Sequence, residues 1–130
     1  MSFLFESFSG WKKYAEEQSL SLVDVVLEYE VSQKGATQEQ IWQGLQKAYQ
    51  VMKDAVKTGL DEEMNSRSGM IRSGAKKVYN HPLTVLSPEF QRLISRALAA
   101  KEVNSCMGRV VAAPTAGASG ILPGTLVTLQ

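Results

Sequence analysis

Apolar residues recur along this chain at three- and four-residue intervals, so the elements they predict are helices. Trp11 to Gln18 predicts a short amphipathic helix that docks Trp11 and Tyr14. Ser21-Leu-Val-Asp24 has the form of a capping box, a hydroxyl at the N-cap and an acid three residues on. Leu22, Val25, Val26 and Tyr29 then share one helical face, although their β-branched members would also suit a strand. Gly35 supplies a left-handed stop. The clearest pattern follows. Thr37-Gln-Glu-Gln40 is a second box, and Ile41, Leu45, Ala48, Met52, Ala55 and Val56 make a continuous stripe. Lys53 and Lys57 favour the C-terminal end of that helix, and Gly59 is expected to terminate it. A further helix begins at Ser87-Pro-Glu89, with Phe90, Leu93, Ile94, Ala97 and Leu98 as its expected buried face.

Between these helices, Asn65 to Gly74 is rich in Ser and Gly and predicts a loop. No repeat and no convincing strand pair is visible. From Ala112 the chain turns to small residues and then to the uncharged stretch Ile121 to Gln130, which reads as an opening helix without a polar end. The fold class is therefore mainly α: a helical domain with a Gly/Ala/Ser-rich loop leading into a C-terminal helix cut short. Residues 1–130 are expected to be the front part of a longer protein.

Composition narrows the functions open to such a chain. Fourteen Lys/Arg balance thirteen Asp/Glu, so no strong field favours nucleic acid or an anionic membrane. The first eight residues hold no Lys or Arg ahead of an apolar run, unlike a signal peptide, and no stretch approaches the roughly 18 apolar residues of a membrane span. The expected address is the cytoplasm. One cysteine, Cys106, and one histidine, His81, cannot assemble a zinc site or an iron–sulfur cluster unaided.

Chemistry gathers in Thr115-Ala-Gly-Ala-Ser-Gly120. Small side chains let backbone amides approach a ligand, and a helix N-terminus adds partial positive charge, which suits a carboxylate or phosphate. Tight packing would select the same residues. Neither a Walker loop nor a dinucleotide fingerprint is present.

The block Asn104-Ser-Cys-Met-Gly-Arg-Val-Val-Ala-Ala-Pro-Thr-Ala-Gly-Ala-Ser-Gly-Ile-Leu-Pro-Gly124 resembles the signature of the iron–sulfur-dependent L-serine dehydratases, in the front part of their alpha chain or domain. Similarity extends to Ser19-Leu-Ser-Leu-Val-Asp24, Lys57-Thr-Gly59, Ser68-Gly69 and Ala99-Ala-Lys-Glu-Val-Asn104. The resemblance implies a lyase converting L-serine to pyruvate and ammonia with a four-iron, four-sulfur cluster and no pyridoxal phosphate. It also implies a beta chain or domain as partner, and leaves homo-oligomerisation open. Apolar surface on Leu22, Val26 or Trp42 would then serve as interface. The substrate carboxylate needs an anchor, for which Thr115, Ala116, Gly117, Ala118, Ser119 and Gly120 are the candidates. Thr115 and Ser119 would be side-chain donors, with the Gly117 and Ala118 amides beside them. Asn104, Arg109, Ser68 and Gly69 are secondary candidates.

Two departures stand out. The family's cluster cysteines have no counterpart here, so the metal ligands are expected outside this segment, and Cys106 reads as a small apolar group at a helix end. Ser68-Gly-Met-Ile-Arg-Ser-Gly74 also lacks the family's Gly-Gly-Asp. Lys77 and His81 are candidates for catalysis: Lys77 as a charge neutraliser or a solvated surface residue, His81 as general base or turn histidine. Arg109 could bind a carboxylate or cap a helix end. A non-catalytic domain for small carboxylates and a structural partner subunit are the competing functions. The isolated segment is expected to be inactive.

Overall fold

The computed structural model describes residues 7–130. Six helices lie among them: α1 (Phe8–Gln18), α2 (Leu22–Lys34), α3 (Gln38–Asp61), α4 (Gly74–Asn80), α5 (Pro88–Ser105) and α6 (Ile121–Thr128). Extended pairing among the described residues is a single bridge, Asn65 to Arg72. The chain divides into two compact units, residues 1–46 and 47–130, with α3 running through the boundary. Residues 1–6, part of the stretch read above as unlike a signal peptide, lie outside the described residues. No helix among those described is long and apolar enough to cross a membrane.

The first unit follows its local signals. Ser21 and Asp24 form the reciprocal box, Gly35 takes the left-handed C-cap at φ 61°, and Thr37 and Gln40 exchange bonds of 2.9 and 3.2 Å. α1 packs on α2 through Trp11 against Tyr29, with ring centroids 5.4 Å apart. The Tyr14 hydroxyl donates to Glu28 at 3.4 Å, and desolvation first, then the Glu28 charge, raises the phenol above its ordinary range. On α2 the buried residues are Val25 and Leu27; Leu22 is exposed, contrary to the expected face. The α3 stripe likewise leaves Leu45 exposed.

In the second unit, Ala55, Val56, Met64, Ala100 and Val103 form the core, edged by Leu60, Ile71, Cys106, Val110 and Val127. Three expectations need correction. Gly59 does not end α3, which runs to Asp61; it is buried where a Cβ would lie 2.4 Å from the Ala99 carbonyl oxygen, so the glycine serves helix contact. Gly74 opens helix α4 where a loop was expected. Finally, α5 buries Gln91, Ser95, Ala99, Ala100, Glu102 and Val103, while Phe90 is exposed and Leu93, Ile94, Ala97 and Leu98 are only half-buried. The buried polar members are there because they bond to neighbouring backbone. Gln91 donates to the Val78 and His81 carbonyls at 2.6 and 2.9 Å and accepts from the Leu83 amide at 2.9 Å. Glu102 accepts from the Gly74 and Ala75 amides at 2.9 and 3.3 Å. Thus α5 holds both ends of α4.

Candidate functional site

The small-residue loop is a run of tight turns feeding α6. The Thr115 carbonyl and its Oγ1 both accept the Ala118 amide at 3.2 Å, and the Ser119 amide donates to Ala116 O at 3.3 Å. Two α5 side chains strap the loop down: Lys101 Nζ donates to Gly117 O at 3.2 Å, and Asn104 Nδ2 to Ala116 O at 3.1 Å. At its far end, a Cβ on Gly120 would lie 2.2 Å from Ala97 O, and one on Gly124 would lie 2.7 Å from Ala97 Cα. Those two glycines let α6 press on α5. Arg96 completes the joint by donating to Val127 O at 2.9 Å, which caps the α6 C-terminus with a cation.

The six candidates therefore differ. Thr115, Ala116 and Gly117 are exposed, and Ala118 is half-buried with its amide already taken by Thr115. Gly120 is buried against α5. Ser119 is 0% exposed, and among the described residues its Oγ has no hydrogen-bond partner. Leaving a buried hydroxyl unpaired costs about 1–3 kcal/mol. Gly117 is the sterically open member: a Cβ there would meet only Thr115 Oγ1, at 3.7 Å. Ala113, Pro114, Ile121, Leu122 and Thr125 line an apolar groove on the flank of Ala118.

Of the secondary candidates, only Asn104 joins this loop, and it does so as a strap. Ser68 and Gly69 sit in the exposed turn after α3, where Ser68 Oγ lies 3.1 Å from Ser66 Oγ and Gly69 has φ 71°. His81 is exposed at the C-cap of α4. Its Nδ1 donates to the Lys77 carbonyl at 2.9 Å. Lys77 is also exposed, so those two meet through backbone. Arg109 lines a separate cleft with Asp54 and Thr58. In the turn between α3 and α4, Ser73 Oγ donates to Glu63 at 3.0 Å and accepts the Met64 amide at 2.8 Å. That bond from Ser73, followed by Lys76, holds the Glu63 carboxyl below its ordinary range.

Lys101, Arg96 and Glu102 escaped the sequence reading. Lys101 and Asn104 are three apart on one face just before the small-residue block, a spacing that could have pointed to the strap; the caps made by Arg96 and Glu102 reach 31 and 28 residues along the chain and carry no local signal. Among the described residues no three His, Cys, Asp or Glu side chains gather as a metal requires, and half-buried Cys106 packs on the core. The residues present do not fit a cluster.

The chain is 33% identical to "L-serine dehydratase, alpha chain" of Peptoniphilus asaccharolyticus over 114 residues, covering 85% of this chain and 39% of that one. It is 30% identical to "Probable L-serine dehydratase, alpha chain" of Bacillus subtilis (strain 168), covering 98% and 43%. "L-serine dehydratase 2" of Escherichia coli (strain K12) is 28% identical, covering 94% and 28%. This chain thus spans about two fifths of the length of the alpha chains it matches. No solved structure matches it. The family model for the serine dehydratase alpha chain covers residues 17–130, and the chain belongs to that family.

Proposed function

We propose that this chain is the front part of an enzyme that converts L-serine to pyruvate and ammonia, and that the Thr115–Gly120 loop holds the substrate carboxylate. Family membership over residues 17–130 is the observation that carries the reaction. The loop's sterically open Gly117 supports the anchoring role. β-Elimination removes the α-proton and expels the β-hydroxyl as hydroxide; the resulting enamine tautomerises to an imine, which water cleaves to pyruvate and ammonia. Both leaving groups must be held in register, and a fixed carboxylate supplies that orientation. Thr115 and Gly117 are exposed, while Lys101 and Asn104 on α5 hold the Gly117 and Ala116 carbonyls. Engaging those carbonyls offsets negative dipoles that would repel a carboxylate. The four-iron, four-sulfur cluster of the family takes its cysteines from outside this segment, a beta chain or domain completes the enzyme, and the cytoplasm is its compartment.

The test uses the complete enzyme carrying this segment, prepared without oxygen and supplied with iron and sulfide, with pyruvate release from L-serine as readout. Gly117→Ala fits the structure without strain, so its unfolding midpoint stays that of the parent. An added methyl between the amide and its carboxylate raises KM about tenfold or more, the equivalent of about 1.4 kcal/mol. Gly120→Ala is the control that unfolds, because its Cβ collides with backbone. Absence of pyruvate would overturn the reaction; an unchanged kcat/KM in Gly117→Ala would move the anchor off this loop.

A further inference from the structure

Within the 47–130 unit, a second small cleft of about 170 Å3 lies between α3 and the turn that follows α5. One wall is a single helical face, Val51, Asp54, Ala55 and Thr58, at successive spacings of three, one and three residues. The other is Val103, Gly108 and Arg109. The turn that delivers Arg109 is a Schellman ending. Met107 is left-handed at φ 64°, its amide donates to Asn104 O at 3.1 Å, and the Gly108 amide donates to Val103 O at 2.8 Å. Only glycine fits at position 108, since a Cβ would lie 2.5 Å from Val103 Cγ1.

This ending decides what Arg109 is for. The Cys106 amide takes Glu102 O, so the last carbonyls of α5 are met by backbone donors and need no cationic cap. Among the described residues the Arg109 guanidinium has neither hydrogen bond nor ion pair. Across the cleft, Asp54 receives Gln50 Nε2 on Oδ1 at 2.8 Å, and its other oxygen is unengaged among those residues. The two opposite charges line one small cleft without pairing with each other. Val51, Ala55 and Val103 supply its apolar lining.

We propose that this cleft binds a small zwitterionic α-amino acid. Arg109 takes the carboxylate through its planar fork, Asp54 takes the ammonium, and the Thr58 hydroxyl accepts a second ammonium N–H. The side chain rests on Val51 and Ala55. The volume lies well below the roughly 300–1,000 Å3 of drug-sized sites, which suits a ligand the size of serine or alanine better than an aromatic amino acid. Both charges are exposed, so binding is weak, with a Kd on the order of 1 mM. The site is separate from the Thr115–Gly120 loop and does not rest on the dehydratase reading.

Amide chemical shifts of the 15N-labelled 130-residue chain test it directly, because they report folding and binding together and need no activity. L-Serine and L-alanine are expected to shift Asp54, Thr58, Gly108 and Arg109 saturably. Propionate, which lacks the ammonium, and ethanolamine, which lacks the carboxylate, bind at least about tenfold more weakly, and L-phenylalanine leaves these residues unmoved. Arg109→Gln and Asp54→Asn each abolish the shifts, whereas Thr115→Ala keeps them. Propionate binding as tightly as L-alanine would overturn the proposal in favour of a bare anion patch. Shifts confined to residues 115–120, or no saturable shift in a folded spectrum, would overturn it outright.

Discussion

Met107 and Ser73 hold the same left-handed backbone for opposite returns. Ser73, at φ 51°, is buried and uses its hydroxyl to bridge Met64 and Glu63, so its strain is offset by bonds that glycine could not make. Met107, at φ 64°, is 90% exposed and gains nothing from its side chain. A side chain in this region costs about 1–2 kcal/mol, part of which glycine returns through its freer unfolded state. Met107→Gly is therefore expected to stabilise the chain by about 0.5–1 kcal/mol, read as a higher urea midpoint at unchanged slope. A lower midpoint would mean that the methionine is covered in solution.

Helix α4 shows where local sequence stops being informative. The boxes at Ser21 and Thr37 and the cap at Ser87 were legible because each is closed within three residues of its own helix, by side chains whose chemistry admits few other uses. The α4 N-terminus has no such signal: Ser73 makes no side-chain cap, and the acceptor is Glu102 on α5. The α5 face was misjudged for the same reason. Apolar periodicity favours Phe90 and Leu93, yet Gln91 and Glu102 are buried because they hold α4, a tertiary demand that overrides the pattern. In the candidate site, the residues of the loop were legible from composition, but the burial of Ser119 and the straps from Lys101 and Asn104 depend on how α5 meets it. Gln91→Met keeps the volume while stripping Val78, His81 and Leu83 of their partner. It should cost about 2 kcal/mol by urea unfolding and speed amide exchange in α4 selectively, leaving α3 protected. Uniform loss of protection would show that α4 is not a separable element.

At the scale of the whole molecule, the second unit closes its core with small side chains and leaves larger ones outside. Alanine supplies two of the five residues of its core cluster, whereas Ile121 and Leu129 on and beside α6 are 70% and 77% exposed, with Leu122 and Leu126 also in solvent. Such surface is characteristic of an interaction face. On the proposed function, α6 leads directly from the substrate loop. The 130-residue chain alone is accordingly expected to self-associate as its concentration rises, through a face that charge would disrupt. Ile121→Lys combined with Leu129→Lys should abolish concentration dependence in sedimentation and weaken the fluorescence of a bound hydrophobic dye. Because neither side chain is buried, the unfolding free energy should stay within about 0.5 kcal/mol of the parent. On the proposed function, the same pair should also lower L-serine turnover in the complete enzyme. A double variant that unfolds early would instead make Ile121 and Leu129 core residues in solution, and α6 would then be a finished element rather than half of an interface.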